Sequence, residues 1–132
     1  MKISADTNVL VRAVLQDDES QSRAAVKVLE AALLIAVSLL CLCELVWVLL
    51  RGARLSKEEV AAAIQSLIDT RNVPMNRPAA DVGLSMLAGG GDFADGVTAH
   101  EGYWLGGETF VSFDKKAVSL ILAEGRQAVL LR

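Results

Sequence analysis

The residues best suited to chemistry in this chain are carboxylates at the ends of short apolar runs. Asp6 follows Lys2 to Ala5, which reads as a strand, and Thr7-Asn8 separate it from the apolar helical pattern of Val9 to Leu15. Thr7 or Asn8 is expected to cap that helix. Asp114 likewise follows the strand-like Thr109 to Phe113, and Asp92 and Asp95 open a helix after three glycines, Gly89 to Gly91. Glu44 is flanked at helical spacing by Leu40, Cys41, Trp47 and Val48, and so reads as projecting from an apolar face, where a carboxylate needs a cation. In an open parallel sheet, ligands sit beyond the carboxyl ends of strands. Acids delivered there make a hard-oxygen site suited to Mg²⁺ or Mn²⁺, ions that activate water and stabilise an in-line phosphoryl transition state. The simpler account is that Asp6 is a helix cap and that Asp92 and Asp95 only complement a helix dipole.

The elements that must position these acids alternate along the chain. With 132 residues and 53% hydrophobic content, one core and a single domain over residues 1–132 are expected. Beyond the first helix, Ser20 is expected to cap a helix to about Ala32, followed by a strand, Leu34 to Val37. Ser38 then caps a helix from Leu39 that stops near Gly52. Ser56 and Glu59 form a capping-box pattern before a helix to about Thr70. Asn72 to Met75 is a weak strand at a sheet edge, because Pro74 lacks a donor. A helix over Pro78 to Ala88, a helix from Asp92, the Thr109 strand, a helix to Ala123 and a last strand, Ala128 to Leu131, complete the order.

Composition narrows the function. A net charge of −3 argues against a protein that coats nucleic acid by neutralising phosphates, though not against one that meets phosphates through metal ions. Cys41 and Cys43, two apart in an apolar run, point to different helix faces and read as core thiols of a reducing cytoplasm. Ala31 to Leu50 has the length of a membrane span, but Ser38 splits it, and Glu44 would cost about 2–4 kcal/mol in lipid. No membrane span is expected.

Asp6-Thr7-Asn8, Glu44-Leu45, Asp92-Phe93-Ala94-Asp95 and Ser112-Phe113-Asp114 together resemble the PIN-domain ribonucleases, more narrowly the VapC-type toxins of toxin–antitoxin pairs. The resemblance runs over essentially the whole chain. It implies an α/β, three-layer fold with a central, mostly parallel sheet of about five strands and helices on both faces. It implies a Mg²⁺- or Mn²⁺-dependent endoribonuclease acting on structured RNA such as a transfer RNA. A homodimer is also implied, inhibited by an antitoxin whose tail enters the acidic groove. By position, Asp6, Glu44 and Asp95 match the three defining acids and Asp114 a more variable fourth. Asn8, Asp92 and Ser112 match supporting positions. Gly96, His100 and the Gly102 to Gly107 stretch depart from the pattern, which bears on the helix after Asp95. His100 reads as a helix residue with a satisfied hydrogen bond, Trp47 as core or dimer surface, and Trp104 as a possible stacking surface for RNA bases. The mechanism expected is phosphodiester hydrolysis by metal-activated water, without a covalent intermediate. A non-catalytic PIN-like interaction module is the rival. A metal-dependent phosphatase fits less well, since Asp6-Thr7-Asn8 lacks a second acid.

Overall fold

A computed structural model describes all 132 residues and resolves them into two compact units, Met1–Asn76 and Arg77–Arg132. The class is α/β, rich in helix, with short parallel strands.

In the first unit, β1 (Lys2–Ser4) pairs in parallel with β2 (Leu34–Ala36), with Ile3 opposite Ile35. Between them run α1 (Thr7–Leu15) and α2 (Glu19–Ala31), which pack on each other. The caps differ from the expected ones. Asp6, not Thr7 or Asn8, has the extended backbone of an N-cap, and Asp18, not Ser20, caps α2 by accepting the Gln21 N–H at 3.0 Å. A cap must lie just outside the first turn, and among adjacent polar residues the backbone decides which one does.

Ser38 caps α3 (Leu39–Trp47) as expected, accepting from the Cys41 N–H at 3.1 Å. The helix then widens into a π-helical turn, Val48–Gly52, before α4 (Lys57–Ile68), which opens with a complete Ser56–Glu59 capping box. Leu42, Leu45, Leu49, Val60 and Ile64 are fully buried and form much of this unit's interior. No helix is long and apolar enough to cross a membrane.

Residues 72–75 form no regular strand, yet they run beside β2. The Ile35 N–H donates to the Asn72 carbonyl at 2.9 Å and the Val37 N–H to the Pro74 carbonyl at 3.2 Å. The return bond between those two must come from the residue 74 nitrogen, and proline has no hydrogen there. The ladder at Pro74 is therefore one-sided.

The second unit begins with α5 (Arg77–Ala88) and α6 (Phe93–Trp104), packed closely together. Gly96 does not break α6. It lets the backbones approach: a Cβ there would lie 2.6 Å from Met86 Cγ and 2.9 Å from the Val82 carbonyl oxygen. β3 (Thr109–Ser112) and β4 (Gln127–Leu130) pair in parallel, joined by α7 (Lys115–Ala123). Met86, Ala117 and Ile121 form the core under this pair, with Phe110 and Ala128 packed on it. The expected sheet of about five strands is thus met in part: four strands form two parallel pairs, and the fifth segment is the one-sided ladder.

Candidate functional site

Each strand that ends in an acid hands over to a helix, and the acid caps it. Asp6 Oδ1 accepts from the Thr7 N–H at 2.8 Å, and Asp114 Oδ1 from the Ala117 N–H at 3.0 Å. Asp92 Oδ1 accepts from the Ala94 N–H at 3.0 Å. All three side chains are exposed, and the second oxygen of each accepts no protein hydrogen bond. The capping account of Asp6 and the delivery of a carboxylate to a strand end are therefore one geometry.

In the first unit, Asp6, Asn8, Arg12 and Glu44 line one open pocket of about 400 Å³. Beneath it the buried Cys41 thiol accepts from the Thr7 hydroxyl at 3.6 Å. Burial pushes that thiol up, the Thr7 bond opposes the shift, and the charges of Asp6 and Glu44 reinforce it. Neither cysteine is in a disulfide. Glu44 does not project from a buried face, as its apolar neighbours suggested. It is exposed, on the same side of α3 as Leu40 and Trp47, which are 72% and 65% exposed. The buried stripe of α3 is Cys41, Leu42 and Leu45, so Trp47 is not core. Arg12, four residues after Asn8 and so on its face of α1, was not anticipated at this pocket. Its guanidinium is engaged by Asp17 at 2.9 Å and Gln21 at 2.6 Å, away from the acids.

In the second unit, Asp95 stands half-buried in the first turn of α6. Burial raises its pKa first, and the negative charges of Asp92 and Asp114 raise it further. Asp92 and Asp114 thus each lie within electrostatic reach of Asp95. Ser112 supports the group: its hydroxyl accepts the Asp114 backbone N–H at 2.9 Å. The salt bridges Arg12–Asp17 and Arg23–Glu19 involve none of the candidate acids.

His100 differs from expectation. It is buried, and its Nδ1 has no hydrogen-bond partner. The Gly102 to Gly107 stretch does not disturb α6 but terminates it. The Gly106 N–H donates to the Tyr103 carbonyl at 3.0 Å and the Gly107 N–H to the Gly102 carbonyl at 2.8 Å, with Gly106 at φ +105°. That is a Schellman stop, which needs glycine at the left-handed position.

No group of three or more His, Cys, Asp or Glu side chains stands ready-made to hold a metal ion. The donor chemistry nonetheless fits a hard divalent cation. Every candidate ligand is a carboxylate, and Asp6 and Asp114 each keep one oxygen without a protein donor.

No curated protein and no solved structure matches the chain significantly. The model of the PIN domain family matches residues 3–118, a span that takes in Asp6, Glu44, Asp92, Asp95 and Asp114. PIN domains are in general nucleases that act on nucleic acids with divalent metal ions, and this chain belongs to that family.

Proposed function

We propose that the chain is a metal-dependent endoribonuclease that hydrolyses RNA phosphodiester bonds, and that it is the toxin of a VapC-type toxin–antitoxin pair. The observation that carries the reading is the grouping around Asp95, a half-buried carboxyl whose pKa is raised first by burial and then by the charges of Asp92 and Asp114. Such a group is poorly balanced until a cation joins it.

Asp6, Glu44, Asp95 and Asp114 are proposed to hold Mg²⁺ or Mn²⁺, with Asn8, Asp92 and Ser112 in support. The ion, when bound, lowers the pKa of water and offsets the charge of the phosphoryl transition state. The protein's part is rigidity. A cap bond to Oδ1 fixes Asp6 and Asp114 while the second oxygen faces outward, and Ser112 fixes the backbone of Asp114. The family match runs through both units, which supports residues 1–132 as one PIN-like domain.

Exposed acids in a chain of net charge −3 suit a partner that brings Arg or Lys, as an antitoxin tail would. The exposed Leu40 and Trp47 favour a homodimer. An Arg-rich peptide should inhibit cleavage, and sedimentation showing a monomer at micromolar concentration would count against the dimer alone.

The deciding experiment assays structured RNA with Mg²⁺, Mn²⁺ or chelator, using Asp6→Asn, Asp95→Asn and the double variant. Each single change should lower cleavage by more than about 100-fold, beyond what outer supporting groups cost. The double change should lower it little further, because residues acting as one unit lose function together. Undiminished cutting in excess chelator removes the metal mechanism. RNA binding without any cleavage makes the chain a non-catalytic PIN module.

A further inference from the structure

The last turn of α6 gathers side chains that the carboxylate chemistry leaves unused. They are the chain's only histidine, its only tyrosine and one of its two tryptophans: His100, Tyr103 and Trp104. The Schellman stop holds this turn firmly, and Trp104 projects from it 74% exposed, with Tyr103 53% exposed. The rings meet without stacking in parallel. Tyr103 and Trp104 pack edge to face at 86°, and His100 meets Trp104 at 57°, each with centroids 6.4 Å apart. No ring of the protein lies flat on the indole.

Arg126 adds a cation. Its guanidinium carbon lies 4.5 Å from the centroid of the Tyr103 ring, and no carboxylate bridges it. Two polar atoms of this group are buried without a partner, His100 Nδ1 and Arg126 Nη1. Unsatisfied buried polar atoms are rare and costly.

We infer that this turn is a stacking site for single-stranded RNA, with Trp104 as the platform for a base and Arg126 as the partner of a phosphate. The inference rests on the RNA-acting reading proposed above. A nucleotide supplies what the exposed cluster lacks: a flat π-face for the indole and an anion for the guanidinium. A stacked base is held without regard to sequence, since every base has such a face. Arg126, over the Tyr103 ring, gives this turn a local positive charge in a chain of net charge −3.

The site is separate from the acids. Trp104 lies nine residues beyond Asp95 on the same helix, about 14 Å along its axis and half a turn around it. A base bound there is remote from the bond to be cut and contributes binding alone. Its loss should therefore raise KM and leave kcat, as for binding energy shared by ground and transition states.

The test uses the full chain with Trp47→Phe, so that Trp104 is the one indole, and with Asp95→Asn to suppress cleavage. A short oligouridylate should quench the indole emission, and the same strand without bases should not. Trp104→Ala should weaken binding roughly 5- to 150-fold, with most of it restored in Trp104→Phe. Arg126→Ala should lower the salt slope of binding by about 0.7. In cleaving protein, the loss in Trp104→Ala should fall on KM. Unchanged affinity in Trp104→Ala, or equal quenching by the baseless strand, overturns the site. So does a Trp104→Ala protein that binds RNA normally but sediments as a smaller species, which would make the turn a contact between two copies. Cleavage without any indole response overturns the stacking site alone. An indole response in a chain that cuts no RNA supports this site and overturns the nuclease reading.

Discussion

Asp95 is the one candidate acid of the second unit that caps nothing, and its environment works against its charge. Burial, then Asp92 and Asp114, raise its pKa above the ordinary carboxyl value near 3.9. A raised acid favours the folded protein below the ordinary value, and that advantage is lost as pH rises through the folded-state value. Asp95→Asn is therefore expected to melt higher than the wild type at pH 7, with the gap closing below about pH 4. Equal melting temperatures at both pH values would remove the electrostatic crowding. The capping acids should behave differently. Asp114→Asn should keep stability within about 0.5 kcal/mol, whereas Asp114→Ala should lose about 0.5–2 kcal/mol, since Asn caps as well as Asp and Ala does not. Urea unfolding of the two variants separates these outcomes.

At the scale of elements, α6 contains two glycines of opposite meaning. Gly96 is pressed against α5, so Gly96→Ala should cost about 1–3 kcal/mol by overpacking despite the better helix former. Gly102 has nothing within 4 Å of its would-be Cβ, so Gly102→Ala should gain up to about 1 kcal/mol. Thermal melts showing the same sign for both would undo this account of the α5–α6 contact. Much of the element order was legible in the sequence, because strand-to-helix changes are local. The Ser38 cap and the Ser56–Glu59 box were readable for that reason. What was not legible depends on neighbours far along the chain. Helical spacing identified the apolar residues around Glu44 but not which stripe of α3 is covered, and that choice leaves Leu40, Glu44 and Trp47 outward. The π-helical turn after Trp47 and the role of Gly96 likewise follow from packing. The positions of Asp6 and Asp114 just beyond strands were readable because each strand end is a local feature. Their hydrogen bonds were misread where several polar residues competed for one cap.

For the whole molecule, the expected signature is linkage between metal and stability. If the carboxylates hold Mg²⁺ only in the folded chain, added Mg²⁺ should raise the melting temperature, and chelator should reverse it. At 100 times the dissociation constant the gain is about 2.7 kcal/mol. Asp95→Asn should begin higher and gain less, because it has lost both a repulsion and a ligand. A Mg²⁺ shift of equal size in wild type and Asp95→Asn would exclude Asp95 from the metal set.

The three capping aspartates carry a consequence for descent. Asp6, Asp92 and Asp114 each close a helix terminus, so a lineage relieved of cutting RNA would still be selected to keep a capping side chain there. Such a lineage should drift at these positions toward Asn, Ser and Thr rather than Ala or Leu. Asp95, which caps no helix and whose charge is disfavoured by burial and by Asp92 and Asp114, should be abandoned first. A randomised library of these four positions, sorted only for protease resistance, should retain capping residues at 6, 92 and 114 and enrich neutral residues at 95. Within such relatives, position 95 would be the mark of a working enzyme, and the three caps would be the mark of an intact fold.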